Sequence, residues 1–437
     1  MNKRSFFSWL CAGIAALTLA ACGSSNSDSS DPPTVRLVNL TSADDLLLTA
    51  DSDEIVSGVT SGGASAYKSI DADTYSIVVS SASTELSTSS TSSVTLVKDT
   101  DYTIVAYERN SQIKILAITE STEADDISSG YAQMTVRNAG SDAGSVDIYI
   151  VDPGVTDLSD LSPTFSSVSA NGTSLSNLVS DGTYDLIVTK AGTTDDVRLT
   201  MSSVELTSQE IVTLVLTPTQ GGSLVNGGLV VQDDSVTPYT NTQARVRVVA
   251  AFPSTTSNLP VDVSIGGEDL DEIVAPSLGL YALVDGDTST YTVSVDGTDV
   301  ATLPSATFES GGDYTVLVYG TDTSDAAVNV LTDTNQIPST GAKIRLVNAA
   351  VSTAGVSLLV NSTTLTSSIA YGDVSDYVSV STGSNTLSLY SPASSSLVVN
   401  YSYPDLSNPV SIYSGGVYTL FLLGETSNAV TLLNKDR

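Results

Sequence analysis

Few residues in this 437-residue chain combine types and spacing that could do chemistry. A Ser-x-x-Lys pair, the nucleophile and base of penicillin-recognising enzymes, occurs at Ser65 to Lys68 and again at Ser111 to Lys114. Neither pair has the companion motifs that such acyl transfer needs, and in so serine-rich a chain both read as surface residues in or beside strands. Two carboxylates at the right separation could hydrolyse a glycosidic bond, yet no spacing singles out such a pair. Acidic groups at Asp44-Asp45, at Asp51 with Asp53 and Glu54, at Asp195-Asp196 and at Asp285 with Asp287 fall in turns. Hard oxygen ligands there suit Ca2+, although a turn Asp more commonly bonds its own backbone. Ca2+ is the one cofactor left open, since the chain holds no nucleophile elbow, phosphate-binding loop or dinucleotide fingerprint.

There is no His anywhere, which removes imidazole acid–base chemistry and the commonest zinc ligand. Cys11, Cys22 and the single tryptophan, Trp9, all lie at the start. There Lys3-Arg4 precedes an apolar run from Phe6 to Ala20, the grammar of a secretory signal, in a segment short for spanning a bilayer. Leu19-Ala20-Ala21-Cys22-Gly23 resembles the lipobox of bacterial lipoproteins. That resemblance implies a signal peptide over 1–21, lipidation of Cys22, and a membrane tether made of acyl chains, two or more of which anchor stably. An Asp after the Cys would favour retention in the inner membrane; Gly23 there implies sorting to the outer membrane. Residues 22–33 have nothing to place in a core and read as a flexible tether. With Cys11 removed and Cys22 lipidated, the mature chain forms no disulfide and no thiolate metal site.

The formal net charge is −33, and it becomes two charges more negative once Lys3 and Arg4 leave. Such a chain repels nucleic acid and anionic lipid. The charge is dispersed and reads as a solvated surface.

These residues must be positioned by several small domains, because the length exceeds one ordinary core. Ser, Thr and Val dominate, with regular Gly and Asp, which favours strands and turns. A strand-like opener recurs as TVRLVNLTS, QMTVRNAGS, RVRVVAAFPS and KIRLVNAAVS, with Asn39, Asn138, Ala250 and Asn348 in matching places at steps of 99, 112 and 98 residues. A second apolar run follows each opener and is expected to be its antiparallel neighbour. Later come mid-domain runs such as ADTYSIVVS and closing runs such as DTDYTIVAY and GGDYTVLVYG. About seven strands per copy predicts an all-β chain of tandem immunoglobulin-like antiparallel β-sandwich domains, over 34–126, 131–234, 243–336 and 342–437. Tyr102, Tyr314 and Tyr418 open the closing runs and are expected to act as structural tyrosine corners. Arg36, Arg247 and Arg345 share one position of the opener and are expected to face a carboxylate across the sheet.

The order of these markers resembles a bacterial family known only as a domain of unknown function, numbered 4397. The resemblance spans nearly the whole mature chain as four units. It is clearest at Val246-Arg247-Val248-Val249 and Val261-Asp262-Val263 in the third copy and weakest in the first, where Leu46-Leu47-Leu48 stands in the second run. It implies an exported protein, often a lipoprotein or wall-attached, and brings no catalytic residues.

The reading that follows is a non-enzymatic, lipid-anchored protein of the cell envelope. It offers loops and edge strands to an envelope or extracellular protein or glycan partner, and not to nucleic acid. The rivals are a carboxylate-dependent carbohydrate-active or peptidoglycan-acting enzyme and a pure structural spacer.

Overall fold

The computed structural model describes residues 30–437, apart from short stretches at 83–85, 90, 121, 171–174, 254–257, 352–354, 392–398, 404–405 and 426–427. The proposed signal, Cys22 and most of the tether lie outside the described residues.

Strands fall into four units, each with its own apolar cluster. In unit one β1 is Thr34–Leu40, β2 Leu46–Ala50, β3 Asp53–Val59, β4 Lys68–Ser69, β5 Thr74–Ser81, β6 Ser92–Thr95, β7 Asp101–Arg109 and β8 Gln112–Glu120. They form two sheets, β4-β1-β7-β8 and β3-β2-β5-β6, packed face to face. Leu37 and Ile104 of one sheet and Leu46, Leu48 and Val79 of the other are fully buried in the shared core. Each such side chain contributes about 1.5–3 kcal/mol.

The chain is all-β as its composition predicts, but one pairing differs from expectation. The opener β1 does not bond to β2. It pairs in parallel with the closing strand β7, in register Val35 to Tyr102 and Leu37 to Ile104. The same parallel pair recurs at Tyr131–Asn138 with Ile211–Pro218, at Gln243–Ala251 with Asp313–Tyr319, and at Ala342–Val351 with Val417–Glu425. Parallel neighbours need a long crossover, and the whole second sheet supplies it. Opener and second run meet only through side chains across the core.

Burial of both faces of the central sheet explains why its strands read as nearly continuous apolar runs. Val38, Val105 and Ile118 turn away from the core of unit one and pack against Val215, Val230 and Val236 of unit two. Val249, Leu317 and Leu331 of unit three likewise pack against Val347, Phe421 and Leu423 of unit four. The units are therefore joined sheet to sheet in two pairs. Unit two also runs past 234, where the sequence places its end: Val236–Tyr239 adds a strand beside Val225–Val231, because Val236 is needed at the contact with unit one.

Candidate functional site

The opener arginines build a recurring set. Arg36, Arg247 and Arg345 stand opposite Thr103, Thr315 and Thr419 across the parallel pair. Each Nε donates to that threonine's Oγ1, at 2.7, 2.9 and 3.0 Å respectively. Each guanidinium lies over a tyrosine ring: Tyr67 at 4.8 Å, Tyr281 at 4.6 Å and Tyr377 at 4.7 Å from the centroid. The threonine hydroxyl donates onward to an acid at the end of the last strand, Glu120, Asp333 or Asp436. All three arginines are at most 2% exposed, so their charges stand only because partners replace water.

Those partners cross unit boundaries. Arg36 faces Glu120 of its own unit at 3.4 Å, while its remaining donors reach the carbonyls of Val231 and Asp234 in unit two, both at 2.8 Å. Units three and four exchange charges: Arg247 donates to Asp436 and Arg345 to Asp333. The in-unit pair Arg247–Asp333 is longer, at 3.6 Å. The sequence places a carboxylate across each arginine's own sheet; the tighter contacts of units three and four lie across the joint, because the sheet carrying them is sandwiched there. Burial disfavours charge on Asp333, but Arg345 and Arg247 outweigh it and hold the carboxyl below its ordinary range. Burial likewise works against the charge on both arginines, and the neighbouring aspartates more than offset it.

A second joint gathers around Asp142, fully buried in unit two. It accepts two hydrogen bonds from Arg109 of unit one, at 2.8 and 2.7 Å, and one from the Ile337 N–H at 2.8 Å. Nearby, Gly221 N–H donates to Gly311 O and Gly221 O accepts from Asn335 N–H, each at 2.9 Å. A Cβ on Gly221 would sit 2.6 Å from the Asp313 nitrogen, so only glycine lets these backbones meet. Where units one, two and three converge they enclose a cleft of about 650 Å3, lined by residues that include Thr41, Glu108, Asn110, Gln220, Tyr239 and Thr240.

The candidates from sequence are dispersed. Tyr102, Tyr314 and Tyr418 are buried, one in each of units one, three and four. Each phenol oxygen accepts a backbone N–H five residues upstream, from Val97 at 3.1 Å, Glu309 at 2.9 Å and Tyr413 at 3.0 Å. Among the turn acids, Asp44 accepts from Ser61 N–H, Asp51 from Ser76 N–H, and Asp287 from the N–H and hydroxyl of Ser310; Asp196 pairs with Arg198. Among the described residues no group of three or more acids could hold a metal ion. Ser65 Oγ is bonded to Leu37 N–H and Ala66 O while Lys68 is exposed, and Lys114 donates to Gln112.

Sequence reading missed the ring and acid of each arginine set. Only the threonine left a signal: the closing runs of units one, three and four carry Tyr-Thr, at Tyr102-Thr103, Tyr314-Thr315 and Tyr418-Thr419, where the tyrosine is the corner residue and not the ring beneath the arginine. Unit two keeps Thr213 but has Val212 before it, and Thr135 stands in the arginine's register. The opener arginine and the corner tyrosine are thus present or absent together.

Sheet pairing, core and buried joints define an all-β protein of four docked sandwich units. Two stretches of the chain, residues 33–149 and 342–437, match the family model of DUF4397, a domain of unknown function. The match takes in the first copy, where the motifs are weakest, and leaves out nearly all of the second copy and the whole of the third, where they look most regular. No curated protein matches the chain. Among solved structures, a protein described as a candidate cell adhesion protein from Bacteroides uniformis is 13% identical, covers 47% of this chain and 99% of its own, and has a TM-score of 0.21. The TIE protein of Bacillus anthracis is 9% identical, covers 90% of this chain and 66% of its own, with a TM-score of 0.15. Likeness this slight carries nothing about ligands or partners.

Proposed function

We propose that this chain is a non-catalytic envelope protein, tethered by lipid on Cys22, whose four docked units form one binding or display body outside the inner membrane. The supporting observation is where the chain puts its ionisable side chains. Arg36, Arg109, Arg247 and Arg345 with Glu120, Asp142, Asp333 and Asp436 are all spent on joints within and between units. A catalytic pair needs a reacting atom within reach, whereas these groups are closed over one another. The lipobox-like Leu19 to Cys22 and the low-apolar stretch after it supply the anchor and spacer in this reading.

The test combines the intact mass of the native protein, a Cys22→Ser control, protease shaving of whole cells and a turnover screen on polysaccharides and peptidoglycan. A lipid-sized mass increment lost in the control, with no turnover, is expected. An unmodified Cys22 would sink the anchor. Hydrolysis abolished by a single Asp substitution would sink the non-catalytic reading. Shaving decides whether partners are sought outside the cell or in the periplasm.

A further inference from the structure

The cleft between units one, two and three exists only because the units dock, and clefts of about 300–1,000 Å3 at domain joints are where ligands usually sit. Its lining is unlike the rest of this acidic chain. Among the described residues Glu108 is its one carboxylate, and it accepts from Ser42 at 2.9 Å. The one cation among the described lining residues, Arg109, is committed to Asp142 and to the Ile337 carbonyl. What remains are hydroxyls, amides and backbone interspersed with Leu40, Pro218, Pro238 and Tyr239; Asn110 and Thr240 are exposed, and the exposed Gln220 amide donates to Glu309 at 2.9 Å.

That lining selects by chemistry. An anion would find Arg109 already paired and would be repelled by the field of a −33 chain, while a cation would find one carboxylate, Glu108, among the described lining residues. A peptide adding as a strand would need an open edge. The edge strand at the cleft, Val236–Tyr239, carries Pro238, which has no N–H to offer. A wholly apolar ligand would need a greasy pocket, and here hydroxyl and amide side chains alternate with the apolar Leu40, Pro218 and Pro238. Tyr239 is half-buried against the core of unit two and brings a ring to the wall. A flat ring beside clustered hydroxyl and amide groups matches a sugar, which has an apolar C–H face and many hydroxyls on its rim.

We infer that this three-unit cleft is a binding site for a neutral oligosaccharide. It rests on the binding-body reading above and gives that reading a ligand class and a place.

The full mature chain is titrated with neutral hexasaccharides of glucose (α- and β-linked), mannose and N-acetylglucosamine, by saturation-transfer NMR and calorimetry. Two variants accompany it. Asn110→Gly removes the amide while keeping the left-handed turn, where φ is +55°. Thr240→Trp fills the cleft from an exposed position. Saturable binding of at least one probe, weakened roughly tenfold or more by both variants at unchanged thermal midpoint, is expected. No binding of any probe up to about 10 mM, or binding indifferent to both variants, would overturn the site. Cleavage of a bound probe would overturn the non-catalytic reading alone, and an unmodified Cys22 the anchor alone, so the failures are separable.

Discussion

Arg247 of unit three donates to Asp436 of unit four at 2.6 Å across 189 residues of sequence, and Arg345 of unit four returns the contact to Asp333 of unit three. Both arginines lie in the same register of homologous strands. The joint is therefore pseudo-symmetric, each unit lending its arginine to the other's acid, and it locks two sandwiches in one relative orientation.

Removing one partner should be costly. Asp333 is fully buried and serves Arg345, Thr315 and Tyr281, so Asp333→Ala leaves two guanidiniums short of a counter-charge. A loss of about 3–5 kcal/mol is expected, read by urea unfolding of the full chain. A loss under about 1 kcal/mol would contradict the role given to this pair.

The same residue fixes a pH dependence. Its folded pKa lies below the unfolded value of about 3.9, so its stabilising share is complete above that value and disappears as pH falls through the folded pKa. Asp333→Asn should flatten the acid limb of the stability curve. An unchanged limb would assign acid sensitivity to other carboxylates.

Lys343 should titrate well below an ordinary lysine. Burial lowers its pKa to about 8, with Arg345 and Arg109 adding to the effect against Asp142. Competitive acylation followed by peptide mass spectrometry should give Lys343 a reactivity midpoint near that value, against about 10.4 for an ordinary lysine. An ordinary midpoint would mean the amine is well hydrated.

Close backbone approach at the joint of units two and three is tested by Gly221→Ala. The added carbon cannot be met by a side-chain rotation, because backbone of residues 311–313 faces it. Overpacking of this kind costs about 1–3 kcal/mol, and small-angle scattering should show the chain expanding. An unchanged profile and stability would mean the units are not pressed together there.

Tyr314→Phe deletes one buried acceptor and leaves the Glu309 N–H without it. The expected loss is about 0.5–1.5 kcal/mol by thermal or urea unfolding, with similar values for Tyr102→Phe and Tyr418→Phe. A neutral result in all three would leave the phenols without an anchoring role.

By itself the sequence determined the all-β class and its period. Strand-forming residues broken by turn chemistry dictate local structure without help from distant parts, and the recurring TVRLVNL-like openers mark each copy. It also limited the chemistry, since a chain without His has little to offer a general acid–base site. The tertiary structure alone decided that the opener pairs in parallel with the closing strand. An apolar run buried on both faces loses the alternation that would reveal its neighbour, so Leu37 and Val38 look alike although one faces the core and the other the next unit. The joints and the cleft were hidden for a related reason. A guanidinium and its carboxylate 189 residues away carry no mark of each other in the chain, and only packing brings Arg247 to Asp436 and Asn110 to Thr240 across their shared cleft.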